Sequence, residues 1–371
     1  MTAKQIFKRG CQTFAGILLL SFVIRFNLIE KAEIYHAEGQ TFERAKVLRI
    51  LEDNLTENGS RIGNQKIRLK LLTGELKGTE TEAYSSSSWL FGATCKEGMY
   101  VIAIVNRSEQ TLEVSVYTAE RALQTGAMIL LFFVCIFLVG GKKGLASIAG
   151  LVCSVLCIIF LFLPMIYRGI SPILAALAVI AVSTAATFLL IGKCSAKTVT
   201  AAIGTIGGTA VAGAYAWLFG SAAHISGYNV SDIEELMYLS EQTGIRVGEL
   251  LFAGILIASL GAVMDVGMSI ASAQHEIHTI RPDLDAKELF SSGMHVGKDM
   301  IGTMSNTLIL AFAGGSLHTL VYLYACDYPF LQLANMYSLA IEIMQGISAT
   351  MGVVMTVPLT AAIGAVLLTH K

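Results

Sequence analysis

Charge is scarce in this chain. Only 14% of its 371 residues are Asp, Glu, Lys or Arg, while 54% are hydrophobic; ordinary soluble domains carry roughly 25% charged residues. The formal net charge is −1, and no basic stripe runs along any segment. The electrostatic footprint of nucleic-acid binding is therefore missing. A GxxxxGK[ST] phosphate loop is also missing, which argues against ATP-driven transport within the chain. The seven cysteines include no Cys-x-x-Cys pair. Most lie in or beside apolar runs, with Cys153 and Cys157 one helical turn apart, and they read as packed side chains rather than a disulfide framework.

What is present is a series of apolar runs long enough to cross a bilayer, for which about 20 residues suffice. The pattern predicts eight spans: 12–28, 123–140, 145–166, 172–191, 199–220, 248–273, 304–324 and about 338–368. The first follows Lys4, Lys8 and Arg9. No small-residue cleavage site follows it, so it reads as a retained anchor rather than a signal peptide. Alternating the spans puts Lys142, Lys143, Lys193, Lys197, Arg281, Lys287, Lys298 and Lys371 on the same side as the basic N-terminus. The opposite short loops hold only Arg168 and Arg246. Cytoplasmic loops carry the excess of Lys and Arg, so both termini are expected in the cytoplasm.

The expected domains are an anchor helix at 1–29, an external β-rich block at 30–121 and a seven-span membrane domain at 122–371. Within the block, 42–51 and 66–72 read as extended. Residues 100–105 and 112–117 alternate around a short hairpin loop at 106–110. Four or five strands in so short a block suit a small, OB-like barrel. Its plainest use is as a structural or partner-docking module, and little aromatic interleaving with basic residues argues against nucleic acid. The fold class is thus an all-α polytopic membrane helix bundle of about eight spans with a small extracytoplasmic β domain. Between spans, 232–240 reads as a short acidic amphipathic helix. Residues 274–301 read as the longest cytoplasmic loop, in which Asp285 and Glu288 form a capping-box-like start to an interfacial helix. His275 and His278 in that loop do not match HExxH, and no metal site is expected.

Asp265 interrupts the sixth span. A charge there costs about 2.5–3.5 kcal/mol on insertion scales, so it usually faces protein or water and often marks an ion or substrate path. Counted from the helix end near Ala273, it lies roughly 12 Å deep. Asn306, flanked by Ser305 and Thr307, enters the next span from the same side. With Ser269 these groups form a candidate ion or substrate site, and Asp265 is expected to face the bundle interior beside Asn306 or Ser305. The alternative is an interhelical hydrogen-bond clamp. Glu342 and Gln345, at the other end of the last span, and His318 are weaker candidates. In the fifth span, Gly204, Gly207, Gly208 and Gly213 permit close helix approach. Pro358 and the stretch from Pro164 to Pro172 suggest kinks of the kind found at transporter sites.

The run Gly261-Ala262-Val263-Met264-Asp265-Val266-Gly267-Met268-Ser269-Ile270 resembles the YibE/F-like family of bacterial multipass membrane proteins. So do Ser292-Gly293-Met294, Gly297-Lys298-Asp299 and Gly302-Thr303-Met304-Ser305-Asn306-Thr307-Leu308-Ile309-Leu310. Gly141-Lys142-Lys143-Gly144 and Gly169-Ile170-Ser171-Pro172 fit the same pattern. The resemblance spans about 40–325, with the last span matching least clearly. Gly267 stands where Ala is expected, and Lys298 where Arg is common. The resemblance implies a bacterial cytoplasmic membrane location and an external soluble domain, and no established activity.

Two functions compete. One is a permease or ion-coupled transporter using Asp265 and Asn306. The other is a non-transporting envelope scaffold whose external domain binds a partner. An intramembrane aspartyl protease needs two facing carboxylates, which the sequence does not supply, so no catalytic residue is expected. Nor is a cofactor. The expected partners are the lipid bilayer, a small solute or ion, and an envelope protein, with no nucleic acid.

Overall fold

The structure is a computed structural model that describes residues 25, 27, 28, 39–58, 60–86, 92–107, 112–192, 195–230 and 233–369. The expected first span at 12–28 lies almost wholly outside the described residues. The chain divides into two compact units, Glu33–Cys135 and Ile136–Lys371 together with Met1–Ala32.

The first unit is a closed five-stranded barrel. Its strands are β1 (Gln40–Glu52), β2 (Asn64–Leu71), β3 (Glu80–Ser86), β4 (Tyr100–Arg107) and β5 (Leu112–Ala119). They close in the order β1-β2-β3-β5-β4. All neighbours are antiparallel except β3 and β5, where Tyr84 pairs with Ser115 in parallel. The arrangement is OB-like. Strand side chains alternate between faces, and every second residue is buried: Val47 on β1; Ile67, Leu69 and Leu71 on β2; Val101, Ala103 and Val105 on β4; Val114 and Val116 on β5. Strand β3 escaped the sequence reading because its inward residues are Ala83 and Ser85, too small and polar to show as hydrophobic alternation.

The segment 92–98 is tied to this barrel through two buried polar side chains. Ser85 Oγ donates to the Ala93 carbonyl at 2.6 Å and accepts from its N–H at 3.1 Å. Gln65 accepts from the Cys95 N–H at 2.7 Å and donates to Asp53 at 2.9 Å. Arg61 also donates to Asp53. The Arg61 guanidinium, and after it the Gln65 amide, hold the Asp53 carboxyl below the usual carboxylate range. Burial pushes the Cys95 thiol up.

The second unit is helical. The chain enters it through α1 (Ala122–Cys157), which is broken at Gly141, where φ 53 and ψ −132 leave the helical region. Such a φ suits glycine. A π-helical turn (Ile158–Phe162) leads into the short α2 (Leu163–Tyr167), which ends before Gly169. The expected interruption between Pro164 and Pro172 is therefore present. Then come α3 (Pro172–Gly192), α4 (Ala196–Ala222), α5 (Ile233–Gln242), α6 (Leu250–Ile280), α7 (Ala286–Gly315), α8 (Leu317–Ala325), α9 (Phe330–Ala334) and α10 (Tyr337–Thr369). Five described stretches are long and apolar enough to cross a membrane: Ala122–Tyr167, Pro172–Leu190, Ala196–Ala222, Val247–Ile280 and Tyr337–Thr369. The pair α7 and α8, bent by 63°, makes a sixth when taken as one span.

One expectation is corrected here. Residues 274–301 are not a loop with a separate interfacial helix: α6 continues to Ile280, and α7 begins at Ala286. The Asp285–Glu288 capping box does form, but it starts α7 itself. The expected seventh span, 304–324, falls within a bent pair of helices. It breaks at Ser316, after Gly314 and Gly315, whose low helix propensity makes a stop cheap there.

Helices α4, α6 and α10 form the packed centre. Gly204 of α4 faces Thr360 of α10, and Gly208 faces Thr356. Reciprocally, Gly352 of α10 faces Ala212, and Gly364 faces Thr200. Small residues on one helix thus receive larger ones from the other, in antiparallel register. Gly267 of α6 slots against Thr205 of α4, where an added Cβ would stand 3.0 Å from the hydroxyl. The expected close approach of the glycine-rich span is present.

Candidate functional site

Asp265 is exposed in the chain, not turned into its own bundle. This corrects the expected interior placement. The reason is packing on α6. Val263, Val266, Gly267, Ile270 and Gln274 make up its buried stripe. An α-helix turns about 100° per residue, so Asp265 lies about 200° from Gly267. It shares the exposed face with Gly254, Ala258, Gly261 and Ser269. Among the described residues, Asp265 has no hydrogen-bond or ion-pair partner.

Asn306 is likewise exposed on α7, so the two do not close an interior site within the chain. Ser305 is half-buried, and its hydroxyl has no partner among the described residues. Thr307 is exposed, and its hydroxyl donates to the Thr303 carbonyl at 2.9 Å. The face of α7 that packs inward carries Gly293 and Gly297 instead, against Gln274 and Val357.

A polar side chain that does lie inside the bundle is Gln274, fully buried. Its side chain sits between Gly293 of α7 and Gly364 of α10. The amide donates to the Leu289 carbonyl at 3.1 Å and to the Ala361 carbonyl at 2.9 Å, tying three helices together. Its Oε1, and the hydroxyls of Thr200, Thr205, Ser348 and Thr360, are buried without a partner among the described residues. Sequence reasoning missed Gln274 by assigning it to a loop. The available signal was an amide two and a half turns beyond Asp265, with no helix breaker before Pro282.

Glu342, one of the weaker candidates in the sequence, stands at a groove between helices. It lines a cavity of about 310 Å³ where the α7–α8 bend meets α10, together with Ile309, Phe312, Ser316, Leu320 and Ile343. The residue is half-buried, and its carboxylate has no hydrogen-bond or ion-pair partner among the described residues. Ser316, 5% exposed, spends its hydroxyl proton on the Phe312 carbonyl at 3.1 Å. Gln345 is half-buried, His318 is exposed, and neither lines the cavity. The site is thus an apolar groove with one negative side chain. No group of three or more His, Cys, Asp or Glu that could hold a metal ion occurs among the described residues.

No curated protein and no solved structure matches the chain. Residues 128–370 match the family described as YibE/F-like protein. That region takes in the final helix α10, which the sequence resemblance covered least, and begins after the barrel, which the resemblance had included. With well over half its length matched, and with Asp265, Gln274, Asn306 and Glu342 all inside the matched region, the chain belongs to the YibE/F-like family.

Proposed function

We propose that the protein is a multipass carrier or permease for a small solute or ion in the bacterial cytoplasmic membrane. In this reading there are about eight crossings, both termini are cytoplasmic and the barrel is external. The stretch Ala122–Tyr167 has 46 residues, about 69 Å of helix against a hydrocarbon core of about 30 Å. With its break at Gly141, that length accommodates two crossings. The observation that carries the transport reading is the broken span: α7 and α8 part at 63°, and Glu342 stands in the groove at the bend. Interrupted helices and intramembrane carboxylates are recurrent parts of transporter sites. Asp265 and Asn306 remain a proposed second site, on the exposed face of α6 and α7.

The test is a thermal-shift screen of the purified full-length protein against ions and small solutes. A solute that stabilises wild type is then followed into proteoliposomes. Glu342→Gln is expected to reduce its flux at least tenfold, and unchanged flux would remove the groove from the mechanism. Asp265→Asn, in the same assay, reads whether the exposed face contributes.

A scaffold function is the second reading, favoured by the barrel's own core and by an aromatic pair on its surface. Phe42 and Tyr117 meet edge-on at 5.3 Å between ring centroids and are 51% and 41% exposed. Exposed aromatics of this kind are common anchors for protein partners. Deleting residues 35–120 separates the readings: a scaffold loses its cellular function, whereas a carrier keeps its solute flux.

A further inference from the structure

We infer that the groove at the α7–α8 bend binds a small organic cation with an apolar body, held by Glu342 and stacked against Phe312. The inference rests on the carrier reading and names its substrate class. Each alternative occupant meets a physical obstacle. An anion would meet a carboxylate with no compensating cation in the lining. A hard metal ion such as Ca²⁺ takes six to eight oxygen ligands, whereas Glu342 and the Ser316 hydroxyl are the only side-chain oxygens in the lining. A neutral solute would leave the Glu342 charge without a partner, so nothing in the lining would favour it over any other apolar body. An ammonium group supplies that partner, and its attraction to a carboxylate near a protein surface is stronger than in bulk water.

The rest of the lining suits the apolar body. Ile309, Phe312, Leu320, Ile343 and Ile347 supply hydrocarbon on several sides, and an aromatic ring in the lining is a favourable neighbour for a cation when its face is presented. The volume of about 310 Å³ stands at the small end of ligand pockets, which run from about 300 to 1,000 Å³. The occupant is therefore a compact ion. Ile309, Ile343 and Ile347 are 48%, 51% and 44% exposed, so the groove opens sideways between α7 and α10. An ion with an apolar body can enter by that route from the bilayer interface, whereas a strongly hydrated ion cannot. Glu342 lies only five residues into α10, about 7.5 Å from the helix start, which leaves the charged end of the ligand near water.

The experiment is equilibrium binding of radiolabelled benzyltrimethylammonium to full-length protein in detergent. Saturable binding is expected in wild type, weakened at least tenfold in Glu342→Gln and retained within threefold in Glu342→Asp, which keeps the charge. The uncharged carbon analogue neopentylbenzene should fail to displace it, and so should Mg²⁺. Melting of each variant without ligand checks that the fold persists. Equal binding by wild type and Glu342→Gln overturns the proposal, as does displacement by neopentylbenzene or by Mg²⁺ as effective as by the ammonium ion. The two readings fail separately. If benzyltrimethylammonium binds through Glu342 but is not moved across proteoliposomes, the site stands and transport fails. If it does not bind while another solute moves in a Glu342-dependent way, the carrier reading stands and the cation class fails.

Discussion

Gly208 shows how one missing side chain sets a helix–helix distance. A Cβ at this position would overlap the Thr356 hydroxyl and stand 3.0 Å from the Gly352 carbonyl oxygen. The hydroxyl is committed as well, donating to that carbonyl at 2.7 Å, so it cannot swing aside without losing its partner. Overpacking a close-packed interior costs about 1–3 kcal/mol, and here a backbone atom would also have to move. Gly208→Leu is expected to reduce the folded protein recovered from the membrane severalfold. Gly254→Leu should leave yield and melting unchanged, because nothing lies within 4 Å of an added Cβ there. Yield and melting assays on the two variants check the contrast, and equal behaviour would mean that the α4–α10 register is not the one described. The glycine content of this helix was legible in the sequence. That Gly208 meets Thr356 of the last helix was not, because spacing identifies a face and not the residue opposite it.

At the scale of the element, the barrel carries its own polar clasp. Asp53 is held by Arg61 and by the buried Gln65, and Gln65 in turn fixes the Cys95 segment. The folded state lowers the Asp53 pKa, relative to an unfolded value of about 3.9. Its contribution to stability is therefore fully present above about pH 4 and is lost as pH falls through the folded value. Cys95, 1% exposed, reports on opening of the segment. With 4,4′-dithiodipyridine, which reacts at acid pH, Asp53→Asn should label faster than wild type at neutral pH, and the two rates should converge as pH falls below about 4. A rate ratio that stays constant across that range would show that the Asp53 charge does not hold the segment. The four strands read from hydrophobic alternation are present. The fifth, β3, closes the barrel through backbone pairing to β2 and β5, a non-local interaction that leaves no trace in a segment whose inward side chains are Ala83 and Ser85.

For the whole molecule, the testable quantity is topology. If both termini are cytoplasmic, as proposed, the barrel faces outward, and the exposed Ser60 should be reachable from outside. In an otherwise cysteine-free chain, Ser60→Cys should react with a membrane-impermeant maleimide on intact cells. Reaction only after lysis would invert the arrangement and place the barrel in the cytoplasm. The same reagent, with a cysteine at Lys287, should give the opposite result, because the proposed topology puts the α6–α7 connection on the cytoplasmic side.

The sequence by itself determined the class of protein. Apolar runs are local and additive, so they read as helices able to cross a membrane without knowledge of packing; the side assigned to each loop is the proposal that the Lys/Arg bias supports. It also determined the family, the glycine-rich helix and most of the barrel strands, since each depends on short-range pattern. Only the tertiary structure decided which polar groups lie inside. Depth along a helix follows from counting residues, and Asp265 stood out on that basis. Rotation about the helix axis follows from which neighbours pack on it, and here it turns Asp265 outward and Gln274 inward. The groove at Glu342 arises from the break after Gly315 and the position of α10 beside it, a meeting of segments distant in the chain that short-range pattern does not encode.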